Sequence, residues 1–87
     1  MSLPPKETPL YNHPLPALED WLRHLGAQQE EPYSPRWDLR RDAWSAQIEL
    51  NVEEMKVSWR EASGETVRIF PYGLSRADAE AAILAGP

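Results

Sequence analysis

The stretch Trp44-Ser45-Ala46-Gln47-Ile48-Glu49-Leu50-Asn51-Val52 decides the fold that this sequence predicts. Every second side chain is apolar, and the side chains between them are polar. Side chains alternate between the two faces of a β-strand, so this period of two indicates a strand with one buried and one solvated face. Such a strand needs hydrogen-bonded neighbours, and the flanking residues predict them.

Three further strands are predicted around this one. Residues 55–60 alternate in the same way after a tight turn at Glu53-Glu54. A last strand, residues 66–72, follows the turn-forming residues 62–65, which include a serine and a glycine. Residues 37–41 alternate as well and form a first, short strand.

The buried face of the last strand is left open by the sequence. Val67 and Ile69 have one parity, whereas Phe70 and Tyr72 have the other. A bulge near Phe70 would bring both sets inward. Pro71 ends this strand or confines it to a sheet edge, because proline cannot donate to the ladder.

Two helices flank the strands. The first spans about residues 15–25, with Pro16 in its first turn and Gly26 as its stop signal. Its buried stripe consists of Leu18, Trp21, Leu22 and Leu25. Ser75 caps the second helix, whose inner stripe consists of Ala79, Ala82 and Ile83.

These elements predict an α+β fold of order α-β-β-β-β-α: a four-stranded antiparallel meander with two helices packed on one face. Residues 15–87 form this single α+β domain. Residues 1–14 form a proline-rich N-terminal arm, because five of the nine prolines fall within the first sixteen residues and stiffen the chain.

Composition removes several classes of function. The 87 residues contain no cysteine, so the chain has neither a disulfide nor a thiol nucleophile. No apolar run approaches the roughly 20 residues that span a bilayer, so we expect no membrane insertion and a cytoplasmic location. The net charge of −5 opposes binding to nucleic-acid phosphates.

Neither catalysis nor metal binding has a convincing set of residues. His13 and His24 are the only histidines, and Asp20 with His24 is better interpreted as a solvated i,i+4 pair on a helix. No serine lies in the strained turn that an activated nucleophile needs. We therefore expect no enzyme activity, no metal and no cofactor.

The arm carries the first candidate contact surface. Tyr11, Asn12 and His13 are polar side chains with rigid surroundings, because prolines precede and follow them. Two interpretations remain open and compatible. The arm either packs on its own domain as a structural clasp, or presents these three residues to a partner.

A small basic cluster is the second candidate surface. Arg36 and Arg40 flank Trp37, and arginine beside an exposed tryptophan stacks on a base or binds a carboxylate. The favoured alternative places Trp37 in the core, with the arginines protecting an edge strand from aggregation.

The chain resembles a small family of cyanobacterial proteins with plastid relatives, known as a domain of unknown function. The resemblance rests on the opening Thr8-Pro9-Leu10-Tyr11-Asn12-His13-Pro14-Leu15-Pro16, on Trp21-Leu22, on the strand Trp44–Val52 and on Leu74-Ser75-Arg76-x-Asp78. It implies a photosynthetic cell as the biological setting, and it implies no activity.

The sequence thus predicts a non-enzymatic protein–protein interaction or assembly module with a protein partner. Its predicted contact residues are Tyr11, Asn12, His13, Arg36, Trp37 and Arg40. The alternative is an RNA-binding domain that uses Arg36, Arg40 and Trp37. The oligomeric state is open.

Overall fold

The computed structural model describes residues 4–87, so residues 1–3 of the predicted arm lie outside the described residues. A short 3-10 helix, Leu10–Asn12, precedes the helix α1. The remaining elements, in chain order, are α1 (Leu15–Leu25), β1 (Gln28–Gln29), β2 (Arg36–Arg40), β3 (Ser45–Leu50), β4 (Glu54–Glu61), β5 (Gly64–Pro71) and α2 (Arg76–Ala85).

The strands form one antiparallel sheet in the order β1-β2-β3-β4-β5. The α+β class is confirmed, but the sheet has five strands where the sequence predicted four. The additional strand β1 pairs Gln28 with Asp38 and Gln29 with Trp37. Its two side chains are both polar, so it carries no alternating pattern that would have distinguished it from a connector.

Strand register collects the apolar side chains on one face, which we call the inner face. Trp37 lies opposite Ile48, and Ile48 lies opposite Val57. The buried residues of this face and of both helices belong to a single core cluster. From the helices the cluster includes Leu18, Trp21, Leu22, Ala79 and Ile83.

Two buried tryptophans link the helices to each other and to the sheet. The Trp59 indole Nε1–H donates to the main-chain oxygen of Ile83 in α2 at 3.3 Å. The Trp21 Nε1–H donates from α1 to Glu80 Oε1 in α2 at 2.9 Å. Each bond satisfies an indole donor that burial would otherwise leave unpaired.

Val52 is the clearest error in the strand prediction. It was expected on the buried face of β3, but β3 ends at Leu50 and Val52 is 97% exposed. The ladder ends because the chain turns at this point, where the Asn51 N–H donates to the Glu54 oxygen at 3.0 Å. Once the backbone leaves the extended conformation, the period of two no longer assigns a face.

The register between β4 and β5 settles the face of the last strand. Phe70 lies opposite Met55 and is buried, whereas Val67 and Ile69 are 47% and 48% exposed on the other, outer face. The pairing runs without interruption from Glu54–Pro71 to Glu61–Gly64, so β5 contains no bulge. Among residues 4–87, no helix is long and apolar enough to cross a membrane.

Candidate functional site

The arm docks along the connection between β5 and α2. The Leu10 N–H donates to the Leu74 oxygen, and the Tyr11 N–H donates to the Tyr72 oxygen, both at 2.9 Å. Leu10 is fully buried and belongs to the core cluster. The arm therefore packs on its own domain through these main-chain hydrogen bonds and through Leu10, as the clasp interpretation predicted.

The arm also caps α2. The oxygens of Thr8 and Lys6 accept the N–H groups of Arg76 and Ala77 at 3.1 and 2.8 Å. The Ser75 hydroxyl accepts the third N–H of the helix, as the capping motif predicted. Since these first-turn donors are paired, this helix end has no free N–H groups to offer an anion there.

His13 is the buried polar residue at the end of the arm. It is only 5% exposed, and its Nδ1 lies 3.0 Å from the Pro9 oxygen. A carbonyl oxygen only accepts, so hydrogen-bond geometry assigns the proton to Nδ1 and leaves Nε2 as an acceptor in the neutral ring. Nε2 is buried and has no hydrogen-bond partner among residues 4–87.

A pocket of about 280 Å³ opens beside His13, and we call it the arm pocket. Three exposed apolar side chains border it: Tyr11 at 65%, Leu15 at 57% and Val52 at 97% exposure. They come from the 3-10 helix, the start of α1 and the β3–β4 turn. Leu50 and Tyr72 contribute the wall toward the sheet.

Tyr72 fixes one side of the arm pocket. Its hydroxyl donates to the main-chain oxygen of Asn51 in the β3–β4 turn. Burial raises the pKa of the Tyr72 hydroxyl above its ordinary value, and the carboxylate of Glu54 raises it further. The Tyr72 hydroxyl therefore keeps its proton, and can donate this hydrogen bond, to a higher pH than an exposed tyrosine.

The outer face of the sheet carries a second, polar concavity of about 340 Å³. Its charges have mixed sign, and some of them form ion pairs. Arg60 Nε lies 3.0 Å from Glu65 Oε2, and Arg36 Nε lies 3.4 Å from Glu49 Oε1 beside the concavity. These pairs are typical of a solvated sheet face, and they bring no nucleophile and base together.

The structure divides the six predicted contact residues. Tyr11 and Asn12 are exposed, and Tyr11 and His13 line the arm pocket. Leu15, Val52 and Tyr72 were missed as site residues. Leu15 lies three residues before Leu18 on the same side of α1, so helical periodicity predicts a buried side chain there and gives no signal of its exposure.

Trp37 is a correction within this set. Its side chain is fully buried in the core, so it offers no surface for a partner or for base stacking. Arg36 and Arg40 are exposed, but they lie on alternate β2 positions that face away from the Trp37 indole. The Arg23 guanidinium of α1 lies 5.2 Å from the ring centroid instead.

Within the described part of the chain, no three His, Asp or Glu residues are grouped closely enough to hold a metal ion.

A family model described as "Protein of unknown function (DUF3143)" matches residues 25–86, which is more than half of the chain. Neither a curated protein nor a solved structure matches. The matched residues include the whole sheet and α2. They also include the part of the arm pocket that is formed by the β3–β4 turn and Tyr72.

Proposed function

We propose that this chain, which belongs to the DUF3143 family of proteins of unknown function, is a protein-interaction module. Its contact site is the arm pocket, which receives an apolar side chain from a basic segment of a partner protein. The proposal carries over the predicted roles of Tyr11, Asn12 and His13, and replaces Trp37 with Leu15 and Val52.

One observation carries the proposal: exposed apolar side chains from three separate elements border a single opening. Single exposed apolar residues are ordinary, whereas a cluster around a concavity is typical of an interaction site. Main-chain hydrogen bonds hold the arm, and the Tyr72 hydroxyl holds the β3–β4 turn, so the pocket is formed before a partner arrives. A preformed pocket lowers the entropic cost of binding.

Charge favours a basic partner segment. Glu54 lies close enough to Tyr72 to raise its pKa, and Glu53 is exposed in the same turn beside Val52. The chain as a whole carries a net charge of −5. Lysine or arginine side chains that flank the inserted apolar residue would meet this acidic border, which speeds encounter and selects orientation.

We infer that both helices cover the inner face, because buried residues of α1 and α2 share one core cluster with the strands. The module is proposed to serve as an accessory or assembly factor in a cyanobacterial cytoplasm. That setting rests on the resemblance of the opening residues. Catalysis and cofactor binding form no part of the proposal.

Selection of a random peptide library on the purified chain tests the proposal. We expect enriched peptides to carry one aromatic or aliphatic residue flanked by lysine or arginine. Burying such a side chain contributes about 1.5–3 kcal/mol, so Val52→Lys is expected to weaken the selected peptides by about tenfold or more. Val52 and Tyr11 are exposed, so Val52→Lys and Tyr11→Ala leave the core intact.

Val67→Lys provides the matched control, since it makes the same exchange on the outer face of the sheet. Peptides that bind wild type, Val52→Lys and Tyr11→Ala equally would place the contact elsewhere and refute the proposal. The same variants then serve in affinity purification from the native cell, where loss of the captured partner is expected with Val52→Lys and with Tyr11→Ala, but not with Val67→Lys.

A further inference from the structure

β5 is an edge strand: among residues 4–87, no strand pairs with it on the side away from β4. It is eight residues long, and residues 64–69 are all exposed. The opposite edge strand, β1, has only two residues. Most proteins keep their edge strands short, interrupt them with a bulge or cover them, because the free N–H and C=O groups of a long edge strand pair readily with another strand.

Pro71 identifies which main-chain groups of β5 are free. It lies opposite Glu54 and has no N–H, so this is a non-hydrogen-bonded pair, and Phe70 with Met55 is a hydrogen-bonded one. The alternation then directs the main-chain groups of Glu65, Val67 and Ile69 away from β4. In agreement, the Pro71 oxygen accepts from the Leu74 N–H rather than from β4.

We propose that β5 pairs antiparallel with β5 of a second copy of this chain, which joins two five-stranded sheets into one. A two-fold axis at Val67 sets the register. Val67 then lies opposite Val67 of the second copy, and Ile69 lies opposite Glu65. On the inner face, Arg68 lies opposite Thr66. Glu65, Val67 and Ile69 each exchange main-chain hydrogen bonds across the interface.

Charge and length favour a second copy in this register. The strand carries one acid, Glu65, and one base, Arg68, so it is neutral although the chain is acidic. A two-fold axis at Arg68 would oppose two guanidinium groups, and an axis at Thr66 or Ile69 would shorten the overlap. The axis at Val67 pairs Gly64 through Phe70 and places no like charges directly opposite each other, although the Arg68 residues of the two copies are diagonal neighbours.

The exposed apolar residues of β5 coincide with this axis. Val67 and Ile69 lie on the outer face, where cross-strand apolar pairs stabilise a sheet. Arg68 is exposed on the inner side of β5, with its guanidinium 4.9 Å from the Phe70 ring centroid. Pairing along one strand buries less area than a standard interface of roughly 1,200–2,000 Å², so we expect a reversible dimer with a Kd in the micromolar range.

Sedimentation velocity of the full chain from about 5 µM to 1 mM tests the proposal. We expect a concentration-dependent dimer, and we expect Val67→Lys to raise its Kd by about tenfold or more, because it opposes two ammonium groups at the axis. Val52→Lys is the matched control and leaves the dimer unchanged. Circular dichroism confirms that each variant is folded.

Disulfide trapping tests the register, since the chain has no cysteine of its own. Val67→Cys places two cysteines directly opposite, at a Cα separation of about 5.5 Å that a disulfide spans. In Ile69→Cys the two cysteines lie four residues apart along the strands, about 13 Å, which exceeds disulfide reach. Oxidation is therefore expected to cross-link Val67→Cys and leave Ile69→Cys monomeric.

Three results would overturn the proposal. The first is a chain that does not pair with itself anywhere in the concentration range, even if its β5 pairs with a strand of another protein. The second is a dimer that Val67→Lys leaves intact or that Val52→Lys abolishes. The third is equal cross-linking of the two cysteine variants. None of these results bears on peptide binding at the arm pocket, which is tested with Val52→Lys separately.

Discussion

Replacing Leu10 with alanine tests whether the arm is part of the hydrophobic core. Leu10 is fully buried, and the substitution removes three carbons. At about 0.8 kcal/mol per buried CH₂ the transfer loss is about 2.4 kcal/mol, and the cavity raises the expected loss of unfolding free energy toward 5 kcal/mol. An 87-residue domain has about 4–13 kcal/mol in total, so the loss is a large fraction of its stability.

Urea denaturation followed by tryptophan fluorescence measures this loss, because three of the four tryptophans are buried. Thermal unfolding should show a fall in Tm of about 10–40 °C. Leu15→Ala is the matched control, since Leu15 is exposed and its truncation is expected to cost within about 0.5 kcal/mol. If Leu10→Ala and Leu15→Ala are equally stable, the arm is not packed on the core and the reasoning fails.

Two further predictions concern the ends of the sheet and of α2. Burial and, less strongly, a nearby carboxylate raise the pKa of Tyr72 above 10.0, so the folded state holds this proton more tightly than the unfolded state. The unfolding free energy should be unaffected by this group below about pH 10 and fall as the pH rises through the folded pKa; urea titrations should show a smaller alkaline loss in Tyr72→Phe than in a Tyr33→Phe control. Gly86 has φ +84° and an added Cβ would lie 2.7 Å from Trp44 Nε1, so Gly86→Ala should lower stability by about 1–2 kcal/mol in thermal unfolding. Gly73→Ala, with no atom within 4 Å of its Cβ, should unfold close to wild type, and equal loss in both variants would contradict the steric argument.

Sequence periodicity was sufficient where one element determines its own pattern. The alternation from Trp44 to Val52 predicted β3, which ends two residues earlier at Leu50, and the stripe around Trp21 predicted α1 within the observed bounds. It failed at Val52, because a turn ends the extended backbone at Asn51 while the apolar alternation in the sequence continues to Val52. It also missed β1, whose two glutamines owe their strand conformation to pairing with β2.

The candidate site was only partly predictable for a related reason. Tyr11 was predicted as a contact residue from its local context, and that role stays a prediction; the arm pocket that it lines is formed by elements far apart in the sequence. The face of Phe70 depends on the register with Met55, and the burial of His13 depends on where the arm docks. Both are long-range properties that a periodicity argument does not contain.

The docking of the arm has a consequence for the order in which the chain folds during synthesis. The Arg76 side chain bonds to the Pro4 oxygen across 72 residues, and the other arm bonds end at Tyr72 to Ala77. During synthesis the arm therefore emerges from the ribosome well before residues 72–77, to which it binds. Leu10 stays exposed until β5 and the start of α2 have emerged. Closure of this long loop is expected late in folding, after the local β3–β4–β5 meander has formed. The segment that completes the core is thus synthesised early and packed at the end.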